Sequence, residues 1–149
     1  MRSMVLAALL GWGTLAVAAP AGPVPGMQET ADPAADLVHN FGLGDNLEQM
    51  AVTAARMTHA YGEFDPAEVE AEIHRLAPGY RAQWDANLAA AYTAHLPAEA
   101  LRSLARQGSA SPYFASLQQQ RAAVGEDMRV SSSSILKALV AEALGHLVR

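Results

Sequence analysis

Apolar residues recur along this chain at helical spacing, and no segment alternates as a strand would. The clearest stretch covers residues 79–105. Tyr80, Trp84, Leu88 and Tyr92 step by four and mark one face of a helix. His95-Leu96-Pro97 interrupts it, and Pro97 suits the first turn of a new helix, where its missing N–H is not required. Leu101, Leu104 and Ala105 then resume at i, i+3, i+4 spacing. Two apolar stripes across so short a break predict two helices folded back on each other.

Punctuation divides the remainder. Asp32-Pro33 predicts a short helix with Asp32 as N-cap, with Leu37, Val38 and Phe41 on its apolar side and Gly42 and Gly44 at its end. Asp45 and Glu48 have capping-box spacing, and Leu47, Met50, Ala54, Met57 and Tyr61 then form a narrow seam that stops at Gly62. Asp65-Pro66-Ala67-Glu68 is the strongest helix start, followed by a buried edge of Val69, Ile73 and Leu76 and a close at Pro78-Gly79. Gly108 ends the helix after Pro97, and Ser111-Pro112 begins the longest helical segment. Phe114, Leu117, Arg121, Val124 and Met128 keep one phase there. Ser131, Ser132, Ser133 and Ser134 lower the apolar content, yet Ile135, Leu139 and Val140 return on the same face seven residues after Met128. This continuity predicts one long C-terminal helix, bent near the serines. The expected fold class is all-α, an irregular bundle of five or six helices with a long C-terminal helix, in a single domain over residues 32–149.

The first residues follow a different logic. Arg2 precedes an apolar run over residues 4–19, shorter than the roughly 20 residues of a membrane span. Its length, its basic flank and Ala16-Val17-Ala18 match a secretory signal peptide over residues 1–18. Residues 19–31, rich in Pro and Gly, read as a disordered lead. No cysteine follows the apolar run, which excludes lipoprotein attachment. The expectation is a periplasmic or secreted protein with no stable membrane span after signal removal.

Composition changes the picture in two respects. The formal net charge of −5 argues against nucleic acid as a partner, because phosphate binding needs a basic face. The absence of cysteine removes disulfides, thiolate metal sites and cysteine nucleophiles.

Candidate chemistry is sparse. His39, His59, His74, His95 and His146 contain no H-E-x-x-H pair, and only Glu70 and His74 stand one helical turn apart as carboxylate and imidazole. His95, at the helix junction, reads as a packing or capping residue. Glu68, Glu70 and Glu72 complement the dipole of their helix. Their functional alternative, shared with Glu99, is the general acid of an envelope glycan hydrolase, which needs a carboxyl raised by an apolar pocket. The serine run lacks G-x-S-x-G and S-x-x-K contexts. Met50, Met57, Tyr61, Tyr80, Trp84 and Tyr92 read first as core, and otherwise as the lining of a pocket for an apolar ligand.

Tyr92, the L-P-A-E-A-L run from Leu96, and Ser109-Ala110-Ser111-Pro112 before a long helix resemble a bacterial exported family, domain of unknown function 2059. The resemblance covers residues 80–147 and implies an all-α fold. Leu96 stands where that pattern has threonine, and Arg106-Gln107 where it has an aromatic pair. It implies no catalytic residue.

The sequence therefore predicts a non-catalytic binding or interaction module of the bacterial envelope, with no cofactor, metal or catalytic residues assigned. The C-terminal helix, residues 135–148, is its expected contact surface for a protein partner or an apolar small molecule. A small apolar-ligand carrier and a glycan hydrolase using a helix glutamate are the alternatives. Intact-mass measurement on protein from its own host is expected to find Ala19 as the first residue; retention of Met1 or Arg2 would show the leader uncut.

Overall fold

The computed structural model describes residues 29–149, so the predicted signal peptide, its cleavage site and most of the Pro/Gly lead lie outside the described residues. Asp32 caps the first helix as its position predicts: Oδ1 accepts the Ala34 and Ala35 amides at 3.0 and 3.2 Å. Helix α1 (Pro33–Asn40) follows, then α2 (Leu47–Arg56) and α3 (Pro66–Leu76), where Asp65 accepts the Ala67 amide at 2.8 Å. The tyrosine–tryptophan stripe forms α4 (Arg81–His95), and Pro97 sits at the N-cap of α5 (Ala98–Gln107). The chain closes with α6 (Phe114–Ser131) and α7 (Ser133–Leu147). Short 3-10 turns at His59–Glu63, Ala77–Gly79 and Gly108–Ala110 join some of these helices.

Among the described residues the fold is all-α, with no strand and with seven α-helices rather than five or six. Two further corrections concern where helices end. The seam predicted from Leu47 to Tyr61 is not one helix. Thr58 takes an extended backbone (φ −86, ψ 146), and its hydroxyl donates to the Ala55 carbonyl at 2.7 Å, so α2 stops at Arg56. Its core face is Leu47, Ala51 and Ala55, while Met50 and Met57 are 42% and 83% exposed. Asp45 makes no cap either: the N-cap is Asn46, without a side-chain bond, and Asp45 holds Arg81 at 2.6 Å.

The second correction concerns the long C-terminal helix, which is two helices meeting at Ser132. Ser132 is fully buried with φ −109 and ψ 2, off the helical values. The Asn87 side chain of α4 reaches into the junction. Its Nδ2 donates to the Ser131 carbonyl at 3.1 Å and to the Ser132 hydroxyl at 3.0 Å. A carbonyl that the break would leave orphaned is thus satisfied.

Helix α4 is central. One side, with Ala89, faces α1, which packs in turn on α5. The opposite side, with Trp84, Leu88 and Tyr92, faces α6. Beyond the break, α7 packs on α2 and α3 instead. The approach of the α1–α2 loop to α4 leaves no room for a side chain at Gly44, where a Cβ would lie 1.8 Å from Asp85 Oδ1. Arg81 closes that corner by bonding Asp85 as well as Asp45. Glu29 pairs with Arg106, and the Thr30 amide donates to Asp36 Oδ2 at 2.6 Å, so the end of the predicted lead docks on α5 and α1.

Trp84 is 3% exposed, and its indole N–H is buried with no hydrogen-bond partner among the described residues. Trp84→Ala is expected to cost about 3–5 kcal/mol in urea denaturation. A loss below about 1 kcal/mol would show that the indole contributes little to the core. Trp84→Phe, which also removes the orphaned donor, is expected to cost much less.

Candidate functional site

Because α6 stays on α4 while α7 leaves for α2 and α3, helices α2, α4, α6 and α7 enclose a space they do not fill. It is a groove of about 950 Å3. Trp84, Leu88, Tyr92, Val124, Met128 and Val140 are its buried lining, and Leu43, Phe114, Leu117, Leu136 and Leu144 are half-buried walls. Met50, Gln118, Arg121, Lys137 and Ala141, all exposed, form the side open to solvent. Of the six residues considered as pocket lining, Met50, Trp84 and Tyr92 face it, whereas Met57, Tyr61 and Tyr80 do not. The phase that joined Phe114, Leu117, Arg121, Val124 and Met128 is the α6 wall of this groove.

Gly125 stands in the middle of α6 and lines the groove, and a Cβ there would meet nothing within 4 Å. Glycine in a helix interior costs about 1 kcal/mol against alanine. No close contact demands it here, and its physical effect is to leave the wall low.

The groove's electrostatics are one-sided. Arg121, Arg129 and Lys137 line it, and no Asp or Glu does, in a chain with 15 acids and 10 Lys and Arg. Burial pushes the Tyr92 hydroxyl above its ordinary pKa, and the Arg121 charge opposes that shift. A smaller cleft of about 580 Å3 between α1 and α4 has the opposite lining, with Asp32, Asp36 and Asp85 beside His39.

The predicted catalytic candidates are elsewhere. Glu68 is exposed. Glu70 does not pair with His74: it holds Arg56 at 2.7 Å, and His74 Nδ1 holds Glu48 Oε2 at 2.9 Å. That carboxylate raises the His74 pKa. Glu99 faces the Tyr113 hydroxyl and raises its pKa. Glu72 is the most enclosed of the four, bonded by Arg75 through Nε at 3.0 Å and Nη2 at 2.5 Å, and by His146 Nδ1 at 2.6 Å. Since Nδ1 gives its proton to Glu72, the 2.9 Å approach of Arg75 to that nitrogen is not a hydrogen bond. The Arg75 guanidinium, then His146, hold the Glu72 carboxyl down at about 2. A general acid needs the opposite shift, so Glu72 serves as a clamp between α3 and α7.

His95 Nε2 meets Asp127 Oδ2 of α6 at 2.7 Å, closing the junction where the sequence placed a packing or capping residue. Tyr80 donates to Glu142 of α7 at 2.5 Å, which raises the tyrosine pKa. Among the described residues, no three His, Asp or Glu side chains gather as metal ligands. Of the serine run, Ser132 carries the helix break and Ser133 lines the groove. Sequence reasoning missed Asn87, whose role depends on an element 44 residues away, and Lys137, the one lysine in the chain. That uniqueness was visible in the sequence.

Searches against protein-family models, curated proteins and solved structures find no match for this chain. Among the described residues, no helix is long and apolar enough to cross a membrane.

The clamp has a pH signature. The folded pKa of Glu72 lies below the ordinary 4.5, so the pair stabilises the fold above about that pH, and the contribution fades as pH falls toward 2. Glu72→Gln is expected to flatten the fall in stability between pH 4.5 and 2, measured by denaturant titration across that range. An unchanged pH slope would mean the clamp adds nothing to stability.

Proposed function

We propose that this protein is an exported, non-catalytic binding module that takes an apolar small molecule in the groove between α2, α4, α6 and α7. The observation that carries this reading is the groove itself, with an aromatic and aliphatic lining and about 950 Å3 of space. Small-molecule sites are concave, mostly apolar and about 300–1,000 Å3 in volume. The leader over residues 1–18 supports export, and the resemblance to an exported helical family agrees with it. The broad C-terminal surface is divided between two tasks. Ile135, Leu139 and Ala143 are buried in the bundle, and Leu136, Val140 and Leu144 line the groove. This favours a small ligand over a partner protein docked along the whole of α7.

A neutral environment-sensitive dye, N-phenyl-1-naphthylamine, is expected to bind one site per chain and to brighten. Gly125→Leu fills the low wall where there is room for a side chain, so it should leave thermal stability unchanged or higher. Dye affinity should nevertheless fall by about tenfold or more, because the substitution occupies the space the dye needs. No saturable binding to the unmodified protein, or undiminished binding to the variant, would rule out the groove.

A further inference from the structure

Building on the groove reading, we infer that its ligand is a single-chain anionic amphiphile whose carboxylate or phosphate head meets Lys137 and Arg121 while its tail lies along the Trp84–Leu88–Tyr92 floor. The basis is where the charge sits. The chain is acidic overall, yet its groove is lined by three cations and no carboxylate. Most arginines elsewhere are committed: Arg56, Arg75, Arg81 and Arg106 each hold a carboxylate. Within the groove, Arg129 is likewise held by Glu126 at 2.9 and 2.5 Å.

The other two lining cations differ. Arg121 makes one long contact, 3.3 Å to Gln118 Oε1. Lys137 has no hydrogen bond or ion pair among the described residues. Two cations without a carboxylate partner, one on α6 and one on α7, stand exposed in the lining of an apolar trough. A neutral ligand would leave them unused, and a cationic ligand would be repelled. An anionic head would gain charge-assisted hydrogen bonds there, which are stronger than neutral ones. The head would stay near water, at exposed side chains, so its desolvation cost is small. The tail would cover the half-buried Leu117, Leu136 and Leu144.

The test uses the full chain and four twelve-carbon probes below their micelle concentrations: laurate, dodecyl phosphate, dodecanol and dodecyltrimethylammonium. Isothermal titration calorimetry is run on the unmodified protein and on Lys137→Gln, Arg121→Gln and the double variant. Both residues are exposed, so a circular-dichroism melt is expected to show all three variants folded. The expected result is that laurate or dodecyl phosphate binds about tenfold tighter than dodecanol, as one charge-assisted contact would give. That margin should shrink in each single variant and vanish in the double, with dodecanol affinity unchanged, and raised salt should reduce it. A laurate preference points to a fatty acid, and a dodecyl phosphate preference to a phospholipid-type head. Equal affinity for all four probes, or preference for the ammonium, overturns the headgroup assignment and leaves the groove standing. No binding by any probe overturns both. An acidic amphipathic peptide that displaces laurate at tenfold lower concentration assigns the groove to a partner helix and also overturns the inference.

Discussion

The two hydrogen bonds from the Asn87 side chain decide the shape of this molecule. Without them, the seven-residue phase from Met128 to Ile135 would favour an unbroken helix running along α4. With them, the Ser131 carbonyl and the Ser132 hydroxyl are drawn to α4, and the helix breaks at a residue buried from water. The Ser132 hydroxyl also points at Met128 Sδ, 3.7 Å away, so both ends of the break are tied internally. A buried polar junction of this kind is stable only when its groups are paired. It lets α6 remain on α4 while α7 crosses to α2 and α3. The groove is the space left between those two directions.

Charge is distributed to fit that geometry. Where α7 packs on α3, ionisable groups interlock: Glu72 with Arg75 and His146, and Tyr80, just after α3, with Glu142. These are part-buried or rim contacts, and they position helices more than they drive folding, since exposed pairs contribute at most about 1 kcal/mol. Where α6 and α7 part, Arg129 is paired with Glu126, but Arg121 and Lys137 stand without carboxylates. Self-neutralisation in one seam and its absence in the other arise within the same helix, with Lys137 two turns before His146. Net charge and composition could not reveal this, because both report totals.

The legible part of the fold was the part fixed by near neighbours in sequence. Asp32 and Asp65 sit beside prolines at helix starts, and both cap as predicted, because an N-cap bond spans only two or three residues. The four-residue stripe of α4 was legible for the same reason, and it supplied the buried Trp84, Leu88 and Tyr92. Periodicity and spacing failed where a specific side-chain bond outweighed them. The seam through Met50 and Met57 had helical phase, but Thr58 offered its hydroxyl to the Ala55 carbonyl, and alanines made the close contact instead. Asp45 had capping spacing, but Arg81, far along the chain, claimed its carboxylate. The groove was half legible. Its residues shared phases in the sequence, but phase cannot distinguish a face that meets another helix from one that faces a gap.

A gap lined by Phe114, Leu117, Leu136 and Leu144 is unfavourable when wet, since each side chain left half-exposed forfeits part of the roughly 25 cal/mol per Å2 that burial would give. The bundle could recover that energy only by bringing α6 and α7 together. Asn87 prevents this at one end. Along the groove, Trp84 and Tyr92 of α4 form a rigid floor. Gly125 contributes nothing to closing the gap, and alanine there would make a better helix without a clash. The exposed apolar surface is therefore held open by the same contacts that hold the fold together. A ligand that fills it binds only the folded chain, so occupancy adds directly to folding stability in proportion to the logarithm of ligand concentration over its dissociation constant. Under the proposed reading, binding and folding would be one equilibrium, joined at the break between α6 and α7.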